Sequence, residues 1–235
     1  MRRIFSVMAA AAALFVVRAY AEEASGAATA TVVTPAATAS PAATAPASAA
    51  FEGTQVEGEM PVALAGTWLM IQSVKAPKEQ YINEFIIYTI AKGDGNWTMR
   101  RLTGAVAPQF MQAIIQANKE HRIFKPSAAV LRAAAKSVAR LEPPGAEAHN
   151  EKYTFFAPGH FPSGMDAPDL SDCKLLLSVL SSGPNTKASG GRYCFTDVQS
   201  NVLSGTLHVS VVALPRGVPP VPFSFDGPVA MYRLP

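Results

Sequence analysis

"AGTWLMIQS", residues 65–73, is the stretch on which the fold turns. It begins about fifteen residues after a segment built almost wholly from Ala, Thr, Pro and Ser, and it is abruptly apolar. The run Leu64–Val74 is bounded by Gly66 and Pro77 and is rich in residues that suit a pleated, half-buried surface, so it predicts a β-strand. Next outward, "NEFIIYTIAKGDGNWTMRRL" reads as a hairpin, with Asp94-Gly95 supplying a positive-φ turn between strands over Ile86–Lys92 and Trp97–Leu102. Further strands are expected at "EKYTFFA", "CKLLLSVL", "GGRYCFTDV", "GTLHVSVVAL" and "PVAMYRL". Within "GTLHVSVVAL", Leu207, Val209 and Val211 alternate with His208 and Ser210, which gives one apolar face and one polar face.

Residues 108–141 change period. Phe110, Met111, Ile114 and Ile115 recur at helical spacing. After Pro126 and an N-cap at Ser127, "AAVLRAAAKSVARL" is rich in strong helix formers and stops at Pro143-Pro144. Val130, Leu131, Ala134, Val138 and Leu141 share one arc of this helix, and Arg132, Lys136 and Arg140 lie on the opposite side. About seven or eight strands in residues 51–235 is the count of an antiparallel barrel or closed sandwich. The expected fold is therefore mainly β with an inserted pair of α-helices at 108–141.

The N-terminal segment bears on compartment. Arg2 and Arg3, the apolar run Ile4–Val17 and the small-residue site Ala19-Tyr20-Ala21 predict a secretory signal peptide over residues 1–21. The apolar run is shorter than the ~20 residues of a spanning helix, so no transmembrane segment is expected in the mature chain. Residues 22–50 are too poor in large apolar side chains to offset the entropy of ordering and predict a disordered Ala/Thr/Pro-rich tether. The expected location is periplasmic or secreted.

Removal of residues 1–21 takes away Arg2, Arg3 and Arg18 and leaves 17 basic and 17 acidic residues from the original 20 and 17. Global charge then gives no reason to expect nucleic acid as a partner. Charge is instead polarised along the chain: residues 100–140 carry eight basic side chains against Glu120 alone, a net of +7. That segment predicts a basic surface, centred on Arg132, Lys136 and Arg140, for an acidic partner or an anionic lipid.

Cys173 and Cys194 are the only cysteines, and an oxidising compartment predicts a disulfide between them. If "SSGPNTKASGG" is a loop joining two strands, a register that opposes the cysteines sets Leu175 across from Arg192.

Gly66-Thr67-Trp68 at the start of a first strand resembles the opening motif of the lipocalin and fatty-acid-binding protein superfamily, in which the Trp plugs one barrel end. A late basic residue packs over the indole in that superfamily, and Arg233 in "AMYRL" looks like that partner. The resemblance rests on a handful of residues at the two ends. It implies a closed barrel, with Gly66, Trp68 and Arg233 as closure residues and an interior that accepts a small apolar or amphipathic ligand. Trp68, Met70, Tyr88, Trp97, Phe155 and Tyr193 are the residues expected near such a cavity, although aromatics and Met on strands also serve as plain core.

Catalytic signals are thin. His121, His149, His160 and His208 are scattered, without a paired metal-ligand spacing. Glu147, His149 and Glu151 alternate within a Pro/Gly setting, and Asp166, Asp169 and Asp172 do not follow a calcium-loop spacing. Ser171, His208 and Asp197 can be named as a Ser-His-Asp set, but no local frame supports them. Asn96-Trp97-Thr98 fits a glycosylation sequon at a tight hairpin. No cofactor and no metal are expected. The functional expectation is an exported, non-catalytic, lipocalin-like binding protein; the alternative is an envelope assembly or accessory subunit acting through its basic helical surface.

Overall fold

A computed structural model describes residues 53–76, 80–93, 96–143, 150–162, 170–183, 186–213 and 221–235. The predicted signal peptide and the predicted tether lie outside these residues, as do the expected Asp94-Gly95 turn, Glu147, His149, Asp166 and Asp169. The elements are β1 (Gly53–Glu57), β2 (Gly66–Ala76), β3 (Gln80–Gly93), β4 (Asn96–Leu102), α1 (Pro108–Lys119), α2 (Ala128–Ala135), a 3₁₀ turn (Val138–Arg140), β5 (Asn150–Phe156), β6 (Leu175–Gly183), β7 (Thr186–Val198), β8 (Val202–Ala213) and β9 (Val221–Arg233). The strands close into a barrel in the order β1-β4-β3-β2-β9-β8-β7-β6-β5. Among the described residues no helix is long and apolar enough to cross a membrane.

The opening stretch is apolar because both faces of β2 are covered. Trp68 and Met70 point into the barrel and join a cluster with Tyr88, Ile90, Met99, Phe155, Leu177 and Phe195. Leu69 and Ile71 point outward into a second cluster with Ile87, Phe110, Ile114 and Phe124. A strand buried on two sides reads as a continuous apolar run rather than an alternating one. β8 has only its inner face covered, with Leu203, Leu207 and Val211 buried there, and it keeps the alternation.

Closure differs from the expected all-antiparallel ring. β2 pairs with β9 antiparallel, with Trp68 opposite Arg233 and Met70 opposite Met231. The helices leave the ring between β4 and β5, and the short strand β1 fills that gap. It runs parallel to β5, Thr54 opposite Tyr153 and Val56 opposite Phe155. Its antiparallel contact with β4 is the single pair Thr54–Trp97, reinforced by the Met99 amide donating to Thr54 Oγ1 at 2.7 Å. β1 makes nine strands where the sequence predicts seven or eight.

The helical insertion packs on the outer face of β2 and β3. Phe110 meets Phe85 edge-on at 4.8 Å and Phe124 at 6.1 Å. Ser127 caps α2, accepting from the Val130 amide at 3.3 Å. α2 ends at Ala135, earlier than its composition predicts. The fully buried Ser137 hydroxyl accepts from the Ala107 amide at 2.8 Å and donates to the Ala133 carbonyl at 3.3 Å, and the chain tightens into the 3₁₀ turn there. Val130, Leu131, Val138 and Leu141 pack inward, and Arg132, Lys136 and Arg140 are exposed.

The Cys173–Cys194 disulfide is present, with Cα atoms 5.4 Å apart, but in a different register from the one expected. Leu175 faces Phe195, Cys194 faces Leu176, and Arg192 faces Ser178. Most of "SSGPNTKASGG" is strand rather than loop: β6 runs to Gly183 and β7 starts at Thr186, with an irregularity between Ser181 and Gly183. The bond therefore ties β7 to the segment leading into β6. Replacing both cysteines by serine is expected to lower stability by roughly 3 kcal/mol on the chain-entropy model, read as a shift in the urea midpoint. An unchanged midpoint contradicts this.

Candidate functional site

One end of the barrel is sealed from within. The Trp68 indole is fully buried, and its Nε1 donates to the Leu64 carbonyl at 2.7 Å. The Arg233 guanidinium lies over that ring, Cζ 4.5 Å from the centroid. Its nitrogens donate to the carbonyls of Ala65 at 2.5 Å and Ser200 at 3.0 Å, and to that of Ala63. Gly66 is required here on two counts: its φ is +142°, and a Cβ would sit 2.7 Å from Arg233 Nη1.

Above this plug the lumen is filled with apolar side chains up to a polar belt. Strand alternation puts Glu84, Tyr88, Arg101, Glu151, Tyr153 and Tyr193 on the inner face with Trp68, Met70 and Met99. The belt lies toward the end at which β2 runs into β3, β6 into β7 and β8 into β9. Gln72 donates to the Tyr193 hydroxyl at 3.1 Å, Tyr153 donates to Glu151, and Arg101 Nη1 stands 3.9 Å from Glu151 Oε1. Tyr88 and Tyr153 pack edge to face at 5.7 Å.

The belt holds two carboxyls and one guanidinium. Burial raises the Glu84 carboxyl above its ordinary range, and the Arg101 charge only partly opposes this. Burial likewise raises the phenols of Tyr88, Tyr153 and Tyr193, reinforced in each by the nearby Glu151, so all three are neutral donors and acceptors at physiological pH. The Glu84 carboxyl has no side-chain hydrogen-bond partner among the described residues, so a donor arriving at the belt finds an acceptor there. Among the described residues of the belt no nucleophile is hydrogen-bonded to a base.

A raised carboxyl pKa has a defined sign in stability. The folded state holds the Glu84 proton more tightly than the unfolded chain, so the contribution is fully present below about pH 4.5 and is lost as pH rises through the raised value. Glu84→Gln is expected to gain stability relative to the parent as pH increases from 4.5 to neutrality, measured by urea unfolding at a series of pH values. A difference that does not vary with pH contradicts this.

The six residues expected near a cavity separate by level. Trp68 belongs to the plug, and Trp97, half-buried with Lys92 Nζ 5.4 Å above its ring, lies on β4 opposite Thr54. Met70 and Phe155 are buried in the packed lumen, and Tyr88 and Tyr193 belong to the belt. Arg101, counted in sequence among the basic surface residues, points into the lumen, and Arg122 is ion-paired with Glu120. Gln72 and Glu84 escape the sequence reading, Arg101 is read there only as surface charge, and Glu151 only as one of an alternating set with Glu147 and His149. Their signal is parity: Arg101 stands two and four residues from Met99 and Trp97, and Glu84 two and four from Ile86 and Tyr88.

Fold and site together define a closed, nine-stranded barrel, plugged at one end, with an ionisable belt inside and helices on one wall. No family model, no curated protein and no solved structure matches the chain.

Proposed function

We propose that this is an exported binding protein of lipocalin-like design whose barrel, without chemistry of its own, takes a small amphipathic ligand through the belt end. The observation that carries the reading is the belt itself. Charged groups are costly to withdraw from water, and here two carboxyls and a guanidinium stand inside a barrel whose other end is sealed by Trp68 and Arg233. Two acidic groups against one basic group suit a head group that donates hydrogen bonds or carries positive charge. An apolar tail then enters the lumen, where Met70, Met99 and Met231, unbranched and adaptable, are the side chains that yield space.

Binding of fluorescent amphiphiles with matched tails and either an amine or a carboxylate head tests this. The amine probe is expected to bind more tightly, and Glu84→Gln to weaken it roughly 10-fold, the worth of one charge-assisted hydrogen bond. Equal affinity for both heads, or no saturable binding of either, overturns the reading.

A second reading has its own observation. Arg132, Lys136 and Arg140 are all exposed on the outer side of the helical insertion, where they are free to meet an acidic envelope component or anionic lipid. Flotation with anionic and neutral vesicles, repeated on the triple charge reversal, tests it; identical flotation in all arms contradicts it.

A further inference from the structure

The outer wall of β7, β8 and β9 carries a hydrogen-bonded row that the luminal site does not use. His208 stands opposite Asp226 on β9 and opposite Arg192 on β7. Its Nδ1 lies 2.7 Å from Asp226 Oδ1, and its Nε2 lies 3.3 Å from the hydroxyl oxygen of Ser210, two residues along the same strand. The arrangement satisfied by all three is Nδ1–H donating to the carboxylate and the Ser210 hydroxyl donating to Nε2. Acid, imidazole and hydroxyl are thus in series.

We propose that Ser210, His208 and Asp226 form an acyl-transfer site that hydrolyses small esters bearing an apolar group. The surroundings supply the other requirements of that chemistry. Two depressions in the outer wall flank the row, one of 440 Å³ that includes His208, Asp226, Leu176 and Pro228, the other of 230 Å³ that includes Ser210, Leu180, Gly190 and Gly191. Gly190, whose missing side chain would meet only the tip of Leu180, leaves the second open on one side, and Leu180, 43% exposed, offers an apolar contact. Arg192 lines both depressions. Its guanidinium, whose Nη1 is buried without a hydrogen-bond partner among the described residues, sets a positive charge beside both depressions that favours a carbonyl oxygen on which negative charge develops.

In the first half-reaction Ser210 Oγ forms a bond to the ester carbonyl carbon as its proton passes to His208 Nε2. The tetrahedral adduct collapses with cleavage of the bond to the alcohol oxygen, and the alcohol leaves with the proton from Nε2. Water then attacks the acyl-serine, His208 takes its proton and returns it to Ser210, and the carboxylic acid departs. Ester and water become acid and alcohol. Asp226 is a positioning residue: it holds the imidazole in the tautomer that leaves Nε2 free to accept. Because Ser210 is exposed and the field at the site is screened, the acylation step is read directly, as a covalent adduct on Ser210.

The test is the intact mass of the whole protein after exposure to an organophosphorus fluoride, with peptide mapping, alongside the burst of p-nitrophenol from p-nitrophenyl acetate. One adduct on Ser210 is expected, absent from Ser210→Ala and formed roughly 100-fold more slowly in His208→Ala. Asp226→Asn is expected to slow acylation and to change the shape of its pH profile, which a merely structural role leaves alone. All three side chains are on the outer wall, and unchanged circular dichroism shows that the variants fold. No adduct on Ser210, adducts on other hydroxyls instead, or labelling of His208→Ala at the parent's rate overturns the proposal.

Discussion

Asn83→Ala is expected to lower stability by about 3–5 kcal/mol and to release the helical insertion from the barrel wall. Asn83 is buried on the outer face of β3, and its amide is fully used. Oδ1 accepts from the Ser73 hydroxyl at 2.6 Å and from the Phe124 amide at 2.8 Å; Nδ2 donates to Asn118 Oδ1 at 2.7 Å and to the Arg122 carbonyl at 2.8 Å. Asn118 closes the circuit, accepting from the Asn83 amide at 2.7 Å and donating to the Asn83 carbonyl at 3.0 Å. Truncation strands polar groups of β2, α1 and the α1–α2 connection in an apolar setting, at ~1–3 kcal/mol for each group that finds no water. Hydrogen exchange separates this from a general loss: amides of α1 and α2 are expected to exchange faster than those of β7 and β8. Uniform acceleration, or a loss under 1 kcal/mol, contradicts the assignment of Asn83 as the tie.

The second large effect is at the plug. Trp68→Ala removes a fully buried indole and is expected to cost roughly 3–5 kcal/mol, a large share of the stability of an ordinary domain. Arg233→Ala loses the cation–π contact and three donors to backbone carbonyls, and about 2–3 kcal/mol is expected. Arg233→Lys does not restore it, because a single ammonium cannot serve three carbonyls while stacking flat on the indole. Chemical denaturation of the two single variants and the double variant measures the coupling; strict additivity indicates that indole and guanidinium act independently.

Much of this architecture is legible in residues 65–73 and their surroundings because burial writes period and composition into the chain. β8 alternates since one face is wet, β2 does not since neither face is, and the helical period at Phe110 and Ile114 marks the layer that covers it. What escapes has physical causes. β1 is five residues, GTQVE, with no alternating apolar set, and it owes its place to the gap left by the insertion. The register of the cysteine hairpin is missed because a disulfide need not join opposed strand positions, and Gly and Ser, read as loop, serve equally in the β6–β7 ladder. The helical break at Ser137 depends on a hydrogen bond to Ala107, thirty residues away, which no local propensity encodes.

The belt escapes for a related reason. A charged residue in an Arg-rich run is assigned to the surface by composition, whereas its side in a strand is decided by parity. Arg101 shares the parity of Trp97 and Met99, and its neighbour Arg100 does not. The same rule places Ser210 and His208 on one face of β8, but their junction with Asp226 exists only after β9 is laid beside it.

Native mass spectrometry of the protein purified without delipidation from its own host is the most direct test that the barrel is a container. A bound small molecule with an apolar tail and a donor or cationic head, released by denaturation and retained less in Glu84→Gln, is the predicted result. A spectrum of bare protein at every stage of purification, with the amine probe also failing to bind, contradicts it.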